Sequence, residues 1–225
     1  MRWADLDIKF SRPIRWIISL LDGNEIKLKI GDIESSRFTR GHRFYQDKEI
    51  EIYNPDGYFD ELYKAKVIVD PERRKIAVAN GAKELAESIN AKVQIEDELL
   101  KEVTNLVEWP VPVLGSFNEK YLEIPDMVNI TVMASHQRYF PLYDQNGKLL
   151  NNFITTANYL GDNFDNIKRG NERVITARLD DAIFFYKEDS KKTLEQRVQD
   201  LKGITFQKGL GSIYDKVERD IEIAS

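Results

Sequence analysis

The sequence contains no cysteine. That removes disulfides, thiolate zinc sites and cysteine nucleophiles together, and it accords with a reducing compartment. Only two histidines occur, His42 and His136, too few for a histidine-built metal site. No apolar run approaches the roughly 18 residues a membrane span needs. The opening "MRWADLDIKF" has no apolar stretch of the kind a secretory signal carries. Together these absences make the cytoplasm the expected compartment. An excess of positive charge is also missing: 33 Lys and Arg stand against 38 Asp and Glu, for a net charge of -5. Contact with nucleic acid would therefore rest on local patches rather than on the field of the whole chain. No glycine-rich phosphate loop of standard spacing is present, since "GDIESSRFTRG" has too few glycines and "KGLGS" lacks a preceding strand. A serine-centred nucleophile elbow is absent as well.

What is present is a foldable chain. With 225 residues, 42% hydrophobic and 32% charged, it fits one large domain, or one domain plus a smaller piece. "PIRWIISLLDGNEIKLKI" holds two apolar-rich runs around Asp22-Gly23-Asn24, a strong hairpin signal. "ERRKIAVANGAKELAESIN" and "EDELLKEVTNLVEW" space their apolar residues as helices do, and Pro110 stops the second. Trp109 before that proline reads as a core anchor. "VPVLGSF" is extended, and "PDMVNITVMASH" fits a short helix behind Pro125. "QRYFPLYDQNGKLLNNFITTAN" gives strand, Asn146-Gly147 turn, strand. From about Gly161 the pattern is helical to the end. "KVERDIEIAS" stops inside an amphipathic pattern without a capping glycine or proline, as expected of a segment of a longer polypeptide. Mixed hairpins and helices followed by helices make the expected fold class α+β, with residues 1–160 as the α+β module and 161–225 as a helical tail.

Three stretches hold side chains that could carry chemistry. In "SRFTRGHRF", Arg37, Arg40, His42 and Arg43 gather around Gly41, interleaved with Phe38 and Phe44. Arginines and aromatics on a loop suit phosphate contact with base stacking; equally, a solvated basic loop could have its two phenylalanines plugged into the core. In "SHQRYFPL", His136, Arg138 and Phe140 would share one face of a strand. In "GNERVITARLDDAIFFYKED", wound as a helix, Arg178 and Asp181 fall within the apolar side, three residues apart. Arginine stays protonated, so this pair is expected as a structural ion pair, buried and closed, rather than as an acid–base couple. Phe184, Phe185 and Tyr186 then read as packing residues.

Seven stretches taken in order carry a family resemblance over essentially the whole chain: "RPIRWIISLLDG", "TRGHRF", "LVEWPV", "HQRYFPL", "NNFITTAN", "GNERVITARLDDAIFFYKED" and "LGSIYDKVER". They resemble the β subunit of bacterial heterotetrameric glycyl-tRNA synthetase. The resemblance implies a mixed or antiparallel sheet module similar to the B3/B4 region of the phenylalanyl-tRNA synthetase β subunit, and a helical lead-in toward an HD-like domain. It implies an α2β2 enzyme in which ATP, magnesium and glycine activation belong to a separate α subunit. The β subunit would supply tRNA recognition, with Arg37, Arg40, His42, Arg43 and Arg138 as the expected tRNA contacts. The family offers no established catalytic residue to place in this stretch, and no metal ligand or membrane contact is expected of it. An editing-type hydrolase acting on mischarged tRNA, with His136 or Asp181 in a cleft, is the alternative. Against it stands the size argument, because editing removes competitors smaller than, or isosteric with, the correct substrate, and no amino acid is smaller than glycine.

Overall fold

A computed structural model describes residues 1–3, 5–46 and 48–225. Short strands open the chain: β1 (Ile17–Ile18), β2 (Leu20–Leu21), β3 (Asn24–Glu25), β4 (Lys29–Ile30), β5 (Ile33–Ser36), β6 (Phe38–Arg40) and β7 (Glu49–Glu51). β1 runs parallel to β5, which pairs antiparallel with β4; β2–β3 and β6–β7 are separate hairpins. The predicted turn between β2 and β3 forms on Asp22 and Gly23, at φ +48° and +81°. Two positive φ values in succession match the twist of a two-residue hairpin, which is why Asp-Gly stands there.

Helices α1 (Tyr58–Lys64), α2 (Pro71–Ser88) and α3 (Asp97–Leu106) follow, with β8 (Lys92–Val93) between the last two. α2 starts where Asp70 and Pro71 require it. The Asp70 carboxylate accepts from the Glu72 and Arg73 amides at 2.8 and 3.4 Å, while Pro71 presets the first helical φ. Arg74 joins α2 to the end of α3, donating to the Thr104 carbonyl at 2.8 Å and the Ile68 carbonyl at 2.5 Å.

The main sheet has the order β8, β10 (Phe140–Tyr143), β11 (Leu149–Ala157), β9 (Val111–Ser116), all antiparallel. β10 and β11 are the hairpin expected around Asn146-Gly147; Gly147 has φ +84°, and Asp144 accepts from the Asn146 and Lys148 amides. The register of that pair slips between Pro141 and Tyr143, where proline cannot donate to the ladder.

Side-chain alternation along these strands splits the core in two. On one face Val78, Ala82 and Ala86 of α2 and Leu100 and Val103 of α3 pack with Phe140, Leu142 and Ile154. On the other, Met133, Tyr139 and Phe153 pack with Ile175 and Leu179. The second face is covered by α4 (Asp126–Thr131), a π turn at Val132–His136, and α5 (Asp165–Asp189). The result is a helix–sheet–helix sandwich, an α+β fold with mixed and antiparallel sheets. The helical portion expected from about residue 161 thus begins with a helix whose inner stripe belongs to the second core. Only after it come α6 (Leu194–Asp200) and α7 (Ile213–Ala224), in which no residue is buried. Among the described residues no helix is long and apolar enough to cross a membrane.

Candidate functional site

The β6–β7 hairpin carries the arginine-rich loop, and its register decides which arginines are available. Arg40 lies opposite Glu49 and pairs with it at 3.2 Å. Arg37 is half-buried between Glu25 at 3.1 Å and Glu51 at 3.9 Å. Both guanidinium groups are therefore engaged by carboxylates of adjacent strands. Arg43 at the tip is exposed and has no carboxylate partner among the described residues; its guanidinium lies 5.9 Å from the Phe44 ring centroid, within cation–π range.

His42, expected as a surface contact, is instead buried at 0% exposure. Its amide donates to the Ala65 carbonyl at 2.9 Å, its ring lies 5.0 Å from Tyr45, and its Nδ1 accepts from the Phe44 amide at 3.4 Å. Nε2 is then the protonated nitrogen, and it has no partner among the described residues. Gly41 makes this burial possible: a Cβ there would stand 2.5 Å from the Ala65 Cβ and 2.7 Å from its carbonyl oxygen. With histidine taking the inner position, the phenylalanines are turned out. Phe44 is 72% and Phe38 40% exposed, so neither is plugged into the core.

Arg138 does not lie on a strand face with His136 and Phe140. His136 ends the π turn, exposed, while Arg138 sits at φ +60° and only Phe140 begins β10. Arg138 pairs with Glu102 of α3 at 2.7 Å and donates to the Ser135 carbonyl. It fastens the turn to α3. Trp109 is half-buried rather than a core residue, with the Tyr63 ring at 5.1 Å and Lys66 Nζ 4.9 Å above it.

The expected Arg178–Asp181 pair does not form. Both side chains are exposed, and no ion pair joins them. The cause is the rotation of α5: Ile175 and Leu179 are at 0% exposure and define its inner stripe, which leaves Val174, Phe184, Phe185 and Tyr186 outside. The polar groups that fasten the helix lie beside that stripe. Glu172 accepts from the Ser116 amide at 2.9 Å and hydroxyl at 3.1 Å. Tyr121 donates to Asp180 at 2.6 Å and Lys120 stands 3.4 Å from it; the Tyr121 hydroxyl, aided by the Lys120 charge, holds the Asp180 carboxyl below the usual carboxylate range. Tyr139 donates to Asn171 at 2.7 Å, and burial pushes its phenol up to about 12. Among the described residues no group of three or more His, Asp or Glu is placed to hold a metal ion.

Comparison with known proteins covers the chain from end to end. Residues 1–225 match the model of the family described as glycyl-tRNA synthetase beta subunit. The glycine–tRNA ligase beta subunit of Thermodesulfovibrio yellowstonii is 46% identical over 224 residues, which is 100% of this chain and 33% of that protein. The same-named proteins of Bacillus subtilis and Desulforamulus reducens are 43% and 42% identical, over 100% and 97% of this chain. The chain spans about a third of the length of these curated relatives, 33% and 32% in the last two cases.

Proposed function

The chain belongs to the glycyl-tRNA synthetase beta subunit family, and from that premise we propose that it serves the ligase as a non-catalytic segment giving tRNA contact and architecture. Charging of tRNA with glycine would then draw ATP and magnesium to a separate α subunit, in a cytoplasmic α2β2 enzyme. The likeness of the sheet module to the phenylalanyl-tRNA synthetase B3/B4 region is part of the same proposal.

One observation supports the tRNA contact above the others: the pairing of Arg43 with the 72%-exposed Phe44 at the tip of a loop anchored on buried His42. A cation for a phosphate and an open ring face for an unpaired base stand side by side there. Arg37, Arg40 and Arg138 act in this proposal mainly as internal struts, since each already faces a carboxylate. An editing hydrolase would need a nucleophile and a base brought together. His136 and Asp181 are instead exposed, and neither side chain has a hydrogen-bond partner among the described residues, so no observation favours that alternative.

The test uses the complete α and β subunits and measures tRNA affinity against salt. Arg43→Ala is expected to weaken binding and lower the salt slope by about one counterion, roughly 0.7–0.9 in log–log terms. Phe44→Ala is expected to weaken binding by about 1–3 kcal/mol with the slope intact. Unchanged affinity and slope in both variants would overturn the assignment.

A further inference from the structure

A cavity of about 490 Å³ opens between the small strands and α1, lined by Trp16, Ile18, Leu20, Thr39, Ile52, Pro55 and Tyr58. Its size is that of a small-molecule or side-chain site. The floor is closed: Ile52 is 1% and Thr39 4% exposed. Trp16, 43% exposed, forms one wall and stacks on no other aromatic ring among the described residues. Its indole N–H donates to Thr39 Oγ1 at 3.3 Å, which holds the ring in place and leaves its face open.

The lining states what kind of ligand fits. Among the described residues no carboxylate or cation lines the cavity, so a free amino acid, with its ammonium and carboxylate groups, finds no charged partner there. Two hydroxyls do reach it. Thr39 accepts from Trp16 and has no acceptor for its own proton among the described hydrogen bonds, and the Tyr58 hydroxyl has no partner there. Burial pushes the Tyr58 phenol up, which keeps it a donor. Aromatic walls, an apolar floor and two hydroxyls complement an uncharged planar heterocycle. An aliphatic side chain would leave both hydroxyls unused.

We propose that this cavity receives a nucleobase, supplied by an unpaired nucleotide of the RNA that the neighbouring loop contacts. The inference rests on the tRNA contact proposed above. Two further observations tie it to RNA rather than to a free nucleoside. Thr39 lies on β6, the strand that leads directly into Arg43 and Phe44. Arg12 and Arg15, on the segment leading into Trp16, are exposed and have no carboxylate partner among the described residues. They are cations available to the phosphates on either side of an extruded base.

The test titrates the 225-residue chain at low salt with two probes. One is a single-stranded oligoribonucleotide holding one 2-aminopurine; the other is free 2-aminopurine riboside. Saturable quenching is expected, tighter for the oligonucleotide. Trp16→Ala should weaken binding about tenfold, while Trp16→Phe should keep most of it. Leu20→Phe, which narrows the cavity without touching Trp16, should also weaken binding, and it covers the case of a Trp16→Ala protein that does not fold. Equal affinity for both probes would support the base site and make a free nucleoside its source. Quenching lost in Phe44→Ala but retained in Trp16→Ala and Leu20→Phe would overturn the cavity and leave the loop contact standing. Quenching by neither probe would overturn base recognition and give the cavity to an apolar protein side chain.

Discussion

Replacing Gly115 with alanine should destabilise the sandwich, although alanine is ordinarily the better residue in a strand. Gly115 lies opposite Phe153 on β11, and the Phe153 ring lies across it. A Cβ at 115 would stand 2.7 and 2.8 Å from Cε2 and Cε1 of that ring, and closer still to Cζ. The ring cannot withdraw. It is at 0% exposure and stacks on Tyr139 with centroids 4.5 Å apart and planes 12° from parallel. Tyr139 is in turn held to Asn171 on α5. Overpacking of this kind costs about 1–3 kcal/mol. The backbone gain from removing a strand glycine is roughly 0.5–1 kcal/mol, so at mid-range overpacking wins by about 1 kcal/mol. For a chain of this size that lowers the melting midpoint by about 2–4 °C. Circular dichroism melts give the midpoints of Gly115→Ala, Phe153→Leu and the double variant. The smaller leucine relieves the clash, so the double variant should lose less than the two single losses added together. A Gly115→Ala midpoint at or above the parent's, or strict additivity, would refute the reasoning.

Glu172→Ala, which strips the charged acceptor from the Ser116 amide and hydroxyl, should cost about 1.5–3 kcal/mol by urea unfolding. Arg178→Ala should stay within about 0.5 kcal/mol, because Arg178 is exposed and has no ion-pair partner among the described residues; the reverse order would contradict the placement of α5. Tyr139 supplies an alkaline signature. Its phenol holds a proton more tightly folded than unfolded, so this stabilisation is complete below the ordinary tyrosine value of about 10. It is lost as pH rises from there toward the folded value of about 12, and Tyr139→Phe should flatten that limb of a stability-versus-pH curve.

Local chemistry made several elements legible. The Asp70-Pro71 cap, the Asp22-Gly23 and Asn146-Gly147 turns and the strand–turn–strand at 140–157 all rest on residues whose backbone preferences act within a few positions. The candidate site was less legible, because its state depends on partners distant in the chain. Nothing near Arg37 in sequence announces Glu25 and Glu51; strand pairing brings them in. His42 is inside because Gly41 lets the loop close on Ala65. The apolar side of α5 is a wide arc that holds Ile175 and Leu179, which are buried, and Val174 and Phe185, which are not. Helical projection cannot say which of them meets the sheet. Glu172 and Asp180, which nothing in the sequence separates from the other charges of the helix, are the fasteners. The Trp16 cavity had no sequence signal beyond an aromatic in an apolar run, since its walls come from separate strands and from α1.

The tail after α5 obeys a different thermodynamics from the sandwich. From Ser190 to Ser225 no residue is buried. α6 and α7 each begin with a full capping box, on Thr193 and Ser212, and carry exposed ion pairs such as Lys192–Asp200 and Lys216–Asp220. Such local terms are worth about a kcal/mol or less apiece, whereas opening β10 or β11 means wetting Phe140, Phe153 and Ile154, all at 0% exposure. Amides of the tail can therefore exchange through small openings that leave the sheet shut. The chain holds two reservoirs of stability, and a cooperative melting curve reads mainly the deeper one.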